Sequence, residues 1–180
     1  MEEKVILVNK NDNQIGTLEK IKAHQQANLH RAFSVFIFNT KGEMLLQQRA
    51  KNKYHSAGLW TNACCSHPRP GEETEYAAHR RLQEEMGFDC KLEKTFHFIY
   101  KTAFDHGLTE HELDHVFIGQ YNGAVVPNPV EVEDYKWINL ESLKKQIKEN
   151  PDIFTSWFKI AFDEVLNRHR EIFKIQFHRS

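Results

Sequence analysis

The sequence predicts an α/β fold of the α+β kind, a mixed β-sheet sandwiched between helices. Two observations carry this: runs of aromatic and β-branched residues of strand length recur along the chain, and hairpin-type turns and helical segments are mixed in their order. The length of 180 residues predicts one domain, 1–180, large enough to bury a core.

In chain order, "VILVN" (5–9) reads as a short strand closed by the turn signal "NDNQIG" (11–16), and "TLEKIKAHQQ" (17–26) as a weakly amphipathic helix. "FSVFIFN" (33–39) is a dense strand run. The turn "TKGE" and "MLLQQR" (44–49) follow it, which predicts a hairpin. "KNKYHSAG" (51–58) is a loop, "LWTNACC" (59–65) is extended, and "SHPRPGEE" (66–73) is a loop because of its prolines and glycine. "TEYAAHRRLQEEMG" (74–87) is the strongest helix, with Thr74 placed to cap it and Gly87 at the C′ position. "FHFIYKTAF" and "ELDHVFIGQYN" are strands around the turn "DHGL", and "YKWINL" is another. "ESLKKQIKEN" is a polar helix stopped by Pro151. "SWFKIAFDEVLNRHREIF" is a longer amphipathic helix whose apolar positions include Trp157, Ile160, Ala161 and Leu166. The terminal "EIFKIQFHRS" suits a lid, a helix end or an interface.

A formal net charge of −1 gives no broad basic surface for nucleic acid. The three cysteines are too few, and odd in number, for a disulfide framework, which points to a reducing, cytoplasmic setting. The apolar run near the N-terminus is only four residues long, Val5 to Val8, so neither a signal peptide nor a membrane span is expected there.

Side chains two apart share a strand face, so Cys65 and His67 in "TNACCSHP" face one way and Cys64 the other. Glu110 and Glu112 in "LTEHELDH" have the same spacing; alone, they read as an exposed strand end. His24 and His30 alone read as solvated residues at a helix end. Together with His67 and the two glutamates, they would suit Zn²⁺, Mn²⁺ or Mg²⁺ with nitrogen and oxygen ligands. In "RRLQEEMG", Arg80–Glu84 and Arg81–Glu85 are i,i+4 pairs. They are either an ordinary salt-bridged face or, through a carboxylate, a holder of Mg²⁺ on a diphosphate, with Lys20, Arg49 and Lys53 as candidate phosphate contacts.

"SHPRPGE…RRLQEEMGF" resembles a degenerate Nudix box. Glu72, Arg80, Glu84, Glu85 and Gly87 match its pattern, while Ser66 stands for its first glycine and Arg81 for the glutamate after the arginine. That glutamate normally serves Mg²⁺ in the hydrolases. The departures, with "LHRAFSVFIFN", "LLQQR", "TNACCSHP", "EHELDH" and "SWFKI" in order, resemble the type 1 isopentenyl-diphosphate isomerases, a Nudix-fold branch.

The resemblance implies a Nudix-like fold and interconversion of isopentenyl and dimethylallyl diphosphate through a carbocation-like intermediate. It places catalysis on Cys65, Glu112 and Tyr100. It implies one divalent metal at His24, His30, His67, Glu110 and Glu112, and Mg²⁺ on the diphosphate through Glu85. Substrate contacts would be Lys20, Arg49, Lys53, Arg81 and Trp157. A monomer or weak homodimer with a small diphosphate substrate, and no nucleic-acid or membrane partner, is the matching expectation. A Nudix hydrolase of a nucleoside diphosphate derivative and a catalytically silent metal-binding module are the alternatives.

Overall fold

The computed structural model describes residues 3–177, with side chains through Phe173. Its strands are β1 Lys4–Val8, β2 Gln14–Glu19, β3 His30–Phe38, β4 Glu43–Arg49, β5 Trp60–Thr61, β6 Cys64–Ser66, β7 Leu92–Ala103, β8 Thr109–Gln120 and β9 Val132–Asn139. The α-helices are α1 Lys20–Gln25, α2 Thr74–Met86, α3 Leu140–Glu149 and α4 Ser156–Phe177. No helix among the described residues is long and apolar enough to cross a membrane.

Strand β3 is the hub of a mixed sheet. One edge pairs in parallel with β8 along its whole length, from His30 opposite Glu112 to Phe38 opposite Gln120. The other edge is shared, antiparallel, by β1 at His30, by β6 at Phe33–Val35 and by β4 at Phe38. β7 runs antiparallel to β8 on the far side, and β9 pairs along β4.

Period-two alternation along β3 splits its side chains between two cores. Phe36 and Phe38 join Met44, Val116 and Ile118 under α3 and α4, while Phe33, Val35 and Ile37 pack with Ala77, Leu82 and Met86 of α2. Each of these buried phenylalanines contributes roughly 1.5–3 kcal/mol through apolar burial. The helices therefore lie on both faces of the sheet, as the sequence predicts.

Five local expectations are corrected. Residues 14–19 form strand β2 rather than a turn and the start of a helix. Asn9 Oδ1 accepts hydrogen bonds from the backbone N–H groups of Asn11 and Asn13, turning the chain so that β2 pairs with β1. Strand pairing wins over the weak amphipathic pattern, and the helix shrinks to α1. β3 and β4 are not a ladder-forming hairpin, because they meet only at Phe38 and Met44 before diverging to β8 and β9. Thr74 is the first helical residue of α2; Glu73 occupies the cap position, without a side-chain cap bond. β7 begins at Leu92, ahead of the aromatic run, with a bulge between Lys94 and Phe96. Ile160 is 53% exposed, whereas Trp157, Ala161 and Leu166 are buried. Of the terminal segment, residues 171–177 continue α4, and 178–180 lie outside the described residues.

Gly87 ends α2 in the left-handed region, with φ of 74°. A Cβ there would come within 2.3 Å of the Val126 carbonyl oxygen, so φ and space both demand glycine. Gly87→Ala should lower stability by more than about 1 kcal/mol, read as a fall in the urea midpoint at unchanged slope; an unchanged midpoint would contradict the steric argument.

Candidate active site

Strand register builds the site. In the β3–β8 ladder His30 lies beside Glu112, and in the β7–β8 ladder Tyr100 lies beside Glu112 from the other side. Alternation then places Glu110, Glu112 and Asp114 on one face of β8. Glu110 and Glu112 are only 4% and 5% exposed, so they are not the exposed strand end that their spacing alone suggests. β7 and β3 flank them, and α1 packs across β8.

His24 and His30 are fully buried, not solvated. His24 Nδ1 is 2.6 Å from the Lys20 carbonyl oxygen, and His30 Nδ1 is 2.8 Å from that of Asn28. A carbonyl only accepts, so each Nδ1 carries its hydrogen and each Nε2 would present a lone pair to a bound cation, although without one His30 Nε2 takes up a proton toward Glu112. His24 Nε2 is buried without a hydrogen-bond partner. His30 Nε2 lies 3.3 Å and His67 Nε2 2.8 Å from the same oxygen, Glu112 Oε1. The other oxygen, Oε2, accepts from the Tyr100 hydroxyl at 2.7 Å.

One ligand atom from each of His24, His30, His67 and Glu112 lies within 4.8 Å of the others. Two imidazole lone pairs aimed inward by outer hydrogen bonds, a third imidazole and a carboxylate fit a divalent ion. Glu110 does not join that group. It forms a second group with His24 and His55, a residue that sequence reasoning missed. "KNKYHSAG" carries no period or paired spacing, so its only signal is one more histidine, beside Arg49 in space but in a loop by sequence.

Burial dominates the electrostatics. It lowers His24 and His67 to about 4, in His67 against the pull of Glu112. It also lowers His55 to about 3, with Arg49 adding to the effect. Glu110 is pushed well above the carboxylate range by burial and then by the neighbouring Glu112 charge. For Glu112, burial works against ionisation, but His67 and His30 outweigh it and hold the carboxylate well below its usual value. Tyr100 is raised by burial and by both glutamates, so it stays a neutral donor.

The cysteines separate as alternation requires. Cys64 is fully buried in the α2 core, whereas Cys65 is half-buried, opposite Ser34, and lines the cavity that Glu112 also lines. Asn62 sets this placement by donating to the carbonyls of Val35 and Cys64, at 3.1 and 2.7 Å. Desolvation pushes the Cys65 thiol up to about 12, partly offset by Arg49. At neutral pH the thiol is protonated.

The same cavity gathers the charged candidates. Arg49 sits 5.3 Å over the Trp157 ring, and its Nη1 is 4.0 Å from Cys65 Sγ. Lys20 pairs with Glu3 at 3.2 Å, and Lys53 pairs with Glu131. Glu85 is buried, accepting from Arg81 at 2.6 Å and from Gln47 at 2.9 Å. It faces the cavity from α2, apart from the histidine group. The i,i+4 pairs are therefore not a plain exposed face: Arg80 bridges to Glu72 at 2.7 Å, while Arg81 and Glu85 reach the cavity.

These shifts set an acid sensitivity in the metal-free protein. His24, His67 and His115 at about 4 and His55 at about 3 lie below the unfolded value near 6.5, so between these limits the unfolded chain binds more protons. The contribution of these histidines is then complete above about pH 6.5 and falls as pH drops toward 4, each group costing up to about 1.4 kcal/mol per pH unit. His30, raised because the Glu112 bond and charge outweigh its burial, and Glu110 and Asp114, raised by burial and the Glu112 charge, oppose this in part. Thermal midpoints of chelator-treated protein should fall across pH 6.5 to 4; a flat profile would contradict the burial argument.

Comparison with known proteins agrees with this architecture. Residues 28–158 match the NUDIX domain. The chain is 56% identical to isopentenyl-diphosphate Delta-isomerase 2 of Photorhabdus laumondii, over 88% of this chain and 90% of that one. It is 50% identical to isopentenyl-diphosphate Delta-isomerase 2 of Aromatoleum aromaticum, over 93% and 88%. Among solved structures, a Deinococcus radiodurans protein superposes with a TM-score of 0.69 at 20% identity, covering 82% of this chain and 90% of that one. The MutT NUDIX hydrolase of Burkholderia pseudomallei superposes at 0.60 and 22% identity, covering 76% and 98%. The fold is thus shared with Nudix hydrolases, but the sequence follows another branch, and the chain belongs to the isopentenyl-diphosphate Delta-isomerase family built on the NUDIX domain.

Proposed function

We propose that the protein interconverts isopentenyl diphosphate and dimethylallyl diphosphate, supplying precursors for isoprenoid synthesis, with Cys65 and Glu112 as its acid–base pair. The observation that carries the assignment of roles is the placement of a protonated thiol and a low-pKa carboxylate in one cavity, in a chain that belongs to this family.

An unactivated alkene is a weak base, so its protonation needs a well-placed acid. In the isomerisation, the π electrons take a proton at one end to form a C–H bond. A tertiary cation remains, and a second group removes a proton two carbons away, re-forming the double bond. Cys65 and Glu112 line the cavity that would hold the reacting carbons, and their roles exchange when the reaction reverses. Tyr100 donates to Glu112 Oε2 at 2.7 Å and holds that carboxylate in place. Trp157 offers a ring face to positive charge, a contribution of about 0.5–2 kcal/mol or more when desolvated. Apolar residues around it, including Phe154 and Phe158, help keep water from the cation.

The diphosphate would lie toward Lys20, Arg49, Lys53 and Arg81, anchoring the reacting end through remote binding energy. A divalent ion, Mn²⁺, Mg²⁺ or Zn²⁺, would be held by His24, His30, His67 and Glu112, with Glu110 adjoining; when bound it supplies positive charge that favours the ionised carboxylates. Glu85 would face Mg²⁺ carried by the diphosphate. A hydrolase reading is disfavoured because Arg81 fills the position of a box glutamate and its guanidinium pairs with Glu85.

NMR of labelled isopentenyl diphosphate with the protein and Mg²⁺ should show the dimethylallyl isomer forming without phosphate release. Cys65→Ala and Glu112→Gln should each lower turnover at least about 100-fold with circular dichroism unchanged, while Cys64→Ala keeps turnover near wild type. Phosphate release, or an active Cys65 variant beside an inactive Cys64 variant, would overturn the assignment. Chelation should remove activity, and a divalent cation should restore it.

A further inference from the structure

We propose that His55 is a positioning residue of the metal centre, holding the Glu110 carboxylate beside the three-histidine group from a loop whose main chain also holds Arg49. The inference rests on the metal-centre part of the proposed function.

Geometry distinguishes His55 from the ligands. The rings of His24, His30 and His67 all lie within 6.0 Å of one another, so each ligand ring neighbours the other two. His55 approaches only His24, at 5.9 Å, and shares a ligand group with His24 and Glu110 but not with His30, His67 or Glu112. Its Nε2 lies 3.0 Å from Glu110 Oε1, a hydrogen-bond distance that suits an outer donor.

Glu110 has little else to fix it. Its Oε1 is 3.0 Å from His55 Nε2, and its Oε2 is 3.0 Å from the Tyr100 hydroxyl. Tyr100 has one hydrogen, and its closer acceptor is Glu112 Oε2 at 2.7 Å. Once Glu110 faces a cation as a carboxylate it only accepts, so Nε2–H of His55 becomes its firm donor.

His55 is itself held. Its side chain is 5% exposed, and the ring stacks on Phe104 at 4.7 Å and 19° and takes the Tyr54 ring edge-on at 4.5 Å. Ser56, at φ 51°, turns the chain beside it, and Ser56 Oγ lies 3.3 Å from His55 Nδ1, leaving Nε2 to point at Glu110. The His55 carbonyl accepts from Arg49 Nη2 at 3.2 Å, and the loop is pinned by backbone bonds between Arg49 and both Gly58 and Leu59. One residue therefore ties the metal half of the site, through its side chain, to the diphosphate half, through its backbone. Side-chain replacement should affect the first and leave the second.

The test uses the full-length protein, stripped of metal and without substrate. Affinity for Mn²⁺ and, separately, Zn²⁺ is measured for wild type, His55→Phe and His55→Gln, with metal-free thermal midpoints alongside. Phenylalanine keeps the stacking surface but has no donor, so the affinity should fall about 10–100-fold. Glutamine restores an N–H donor and should recover most of the loss. Equal affinity in His55→Phe with only a lowered midpoint would reduce His55 to packing and overturn the proposal, as would no binding of either ion by wild type. X-ray absorption of the Co²⁺-loaded protein should count the same imidazole ligands in wild type and His55→Phe. Loss of one would make His55 a ligand and also overturn the proposal. Because affinity is read without substrate, a wild type that binds metal but fails to isomerise would count against the proposed function, not against His55.

Discussion

The parallel pairing of β3 with β8 is the constraint on which the rest depends. It sets His30 beside Glu112, and β7 on the far side of β8 sets Tyr100 beside the same carboxylate. On the opposite edge of β3, β6 brings Cys65 to Ser34 and His67 within 2.8 Å of Glu112. A slip of one residue in β8 would turn the carboxylates to the opposite face and move its apolar residues out of the two cores. The burial of Phe36, Phe38, Val116 and Ile118 under α4 and of Phe33, Val35, Ile37 and Phe117 under α2 thus fixes the register that builds the site.

That register places ionisable groups where water is scarce. His24, His30, His67, Glu110, Glu112 and Tyr100 form a cluster whose burial alone would neutralise its members. Without a cation, Glu112 stays ionised because His67 and His30 converge on one of its oxygens and outweigh burial, while Tyr100 donates to the other. The cost of burying such a cluster is recovered when a cation satisfies the inward lone pairs. The same desolvation keeps the Cys65 thiol protonated. Two opposing causes therefore leave the proposed acid–base pair in opposite protonation states: desolvation holds the proton on the thiol, and the facing imidazoles outweigh desolvation at the carboxylate.

The side proposed for the diphosphate has a different origin. α2 carries Arg81 and Glu85 to the cavity while Arg80 is spent on Glu72, securing the loop before the helix. Arg49 stands between the halves, over Trp157 and near Cys65, held by the His55 carbonyl. Apart from α1, which carries both Lys20 and His24, the residues proposed for the diphosphate and those proposed for the metal lie on separate elements.

The sequence by itself determined the mixed sheet between helices, the opposite faces of Cys64 and Cys65, and the glycine stop of α2, because period-two alternation and backbone sterics are local. Through the resemblance in "TNACCSHP" and "EHELDH" it also named most of the residues that meet in the cavity. Only the tertiary structure decided that β2 is a strand, that β3 leaves its hairpin partner for β8, and that His24, His30, Glu110 and Glu112 are buried rather than solvated. It also grouped Glu110 with His24 and His55 rather than with His30 and His67, bringing in His55 from a loop without a readable pattern. Burial and long-range strand partners depend on residues some 80 positions apart, as between His30 and Glu112, and no local spacing encodes that distance.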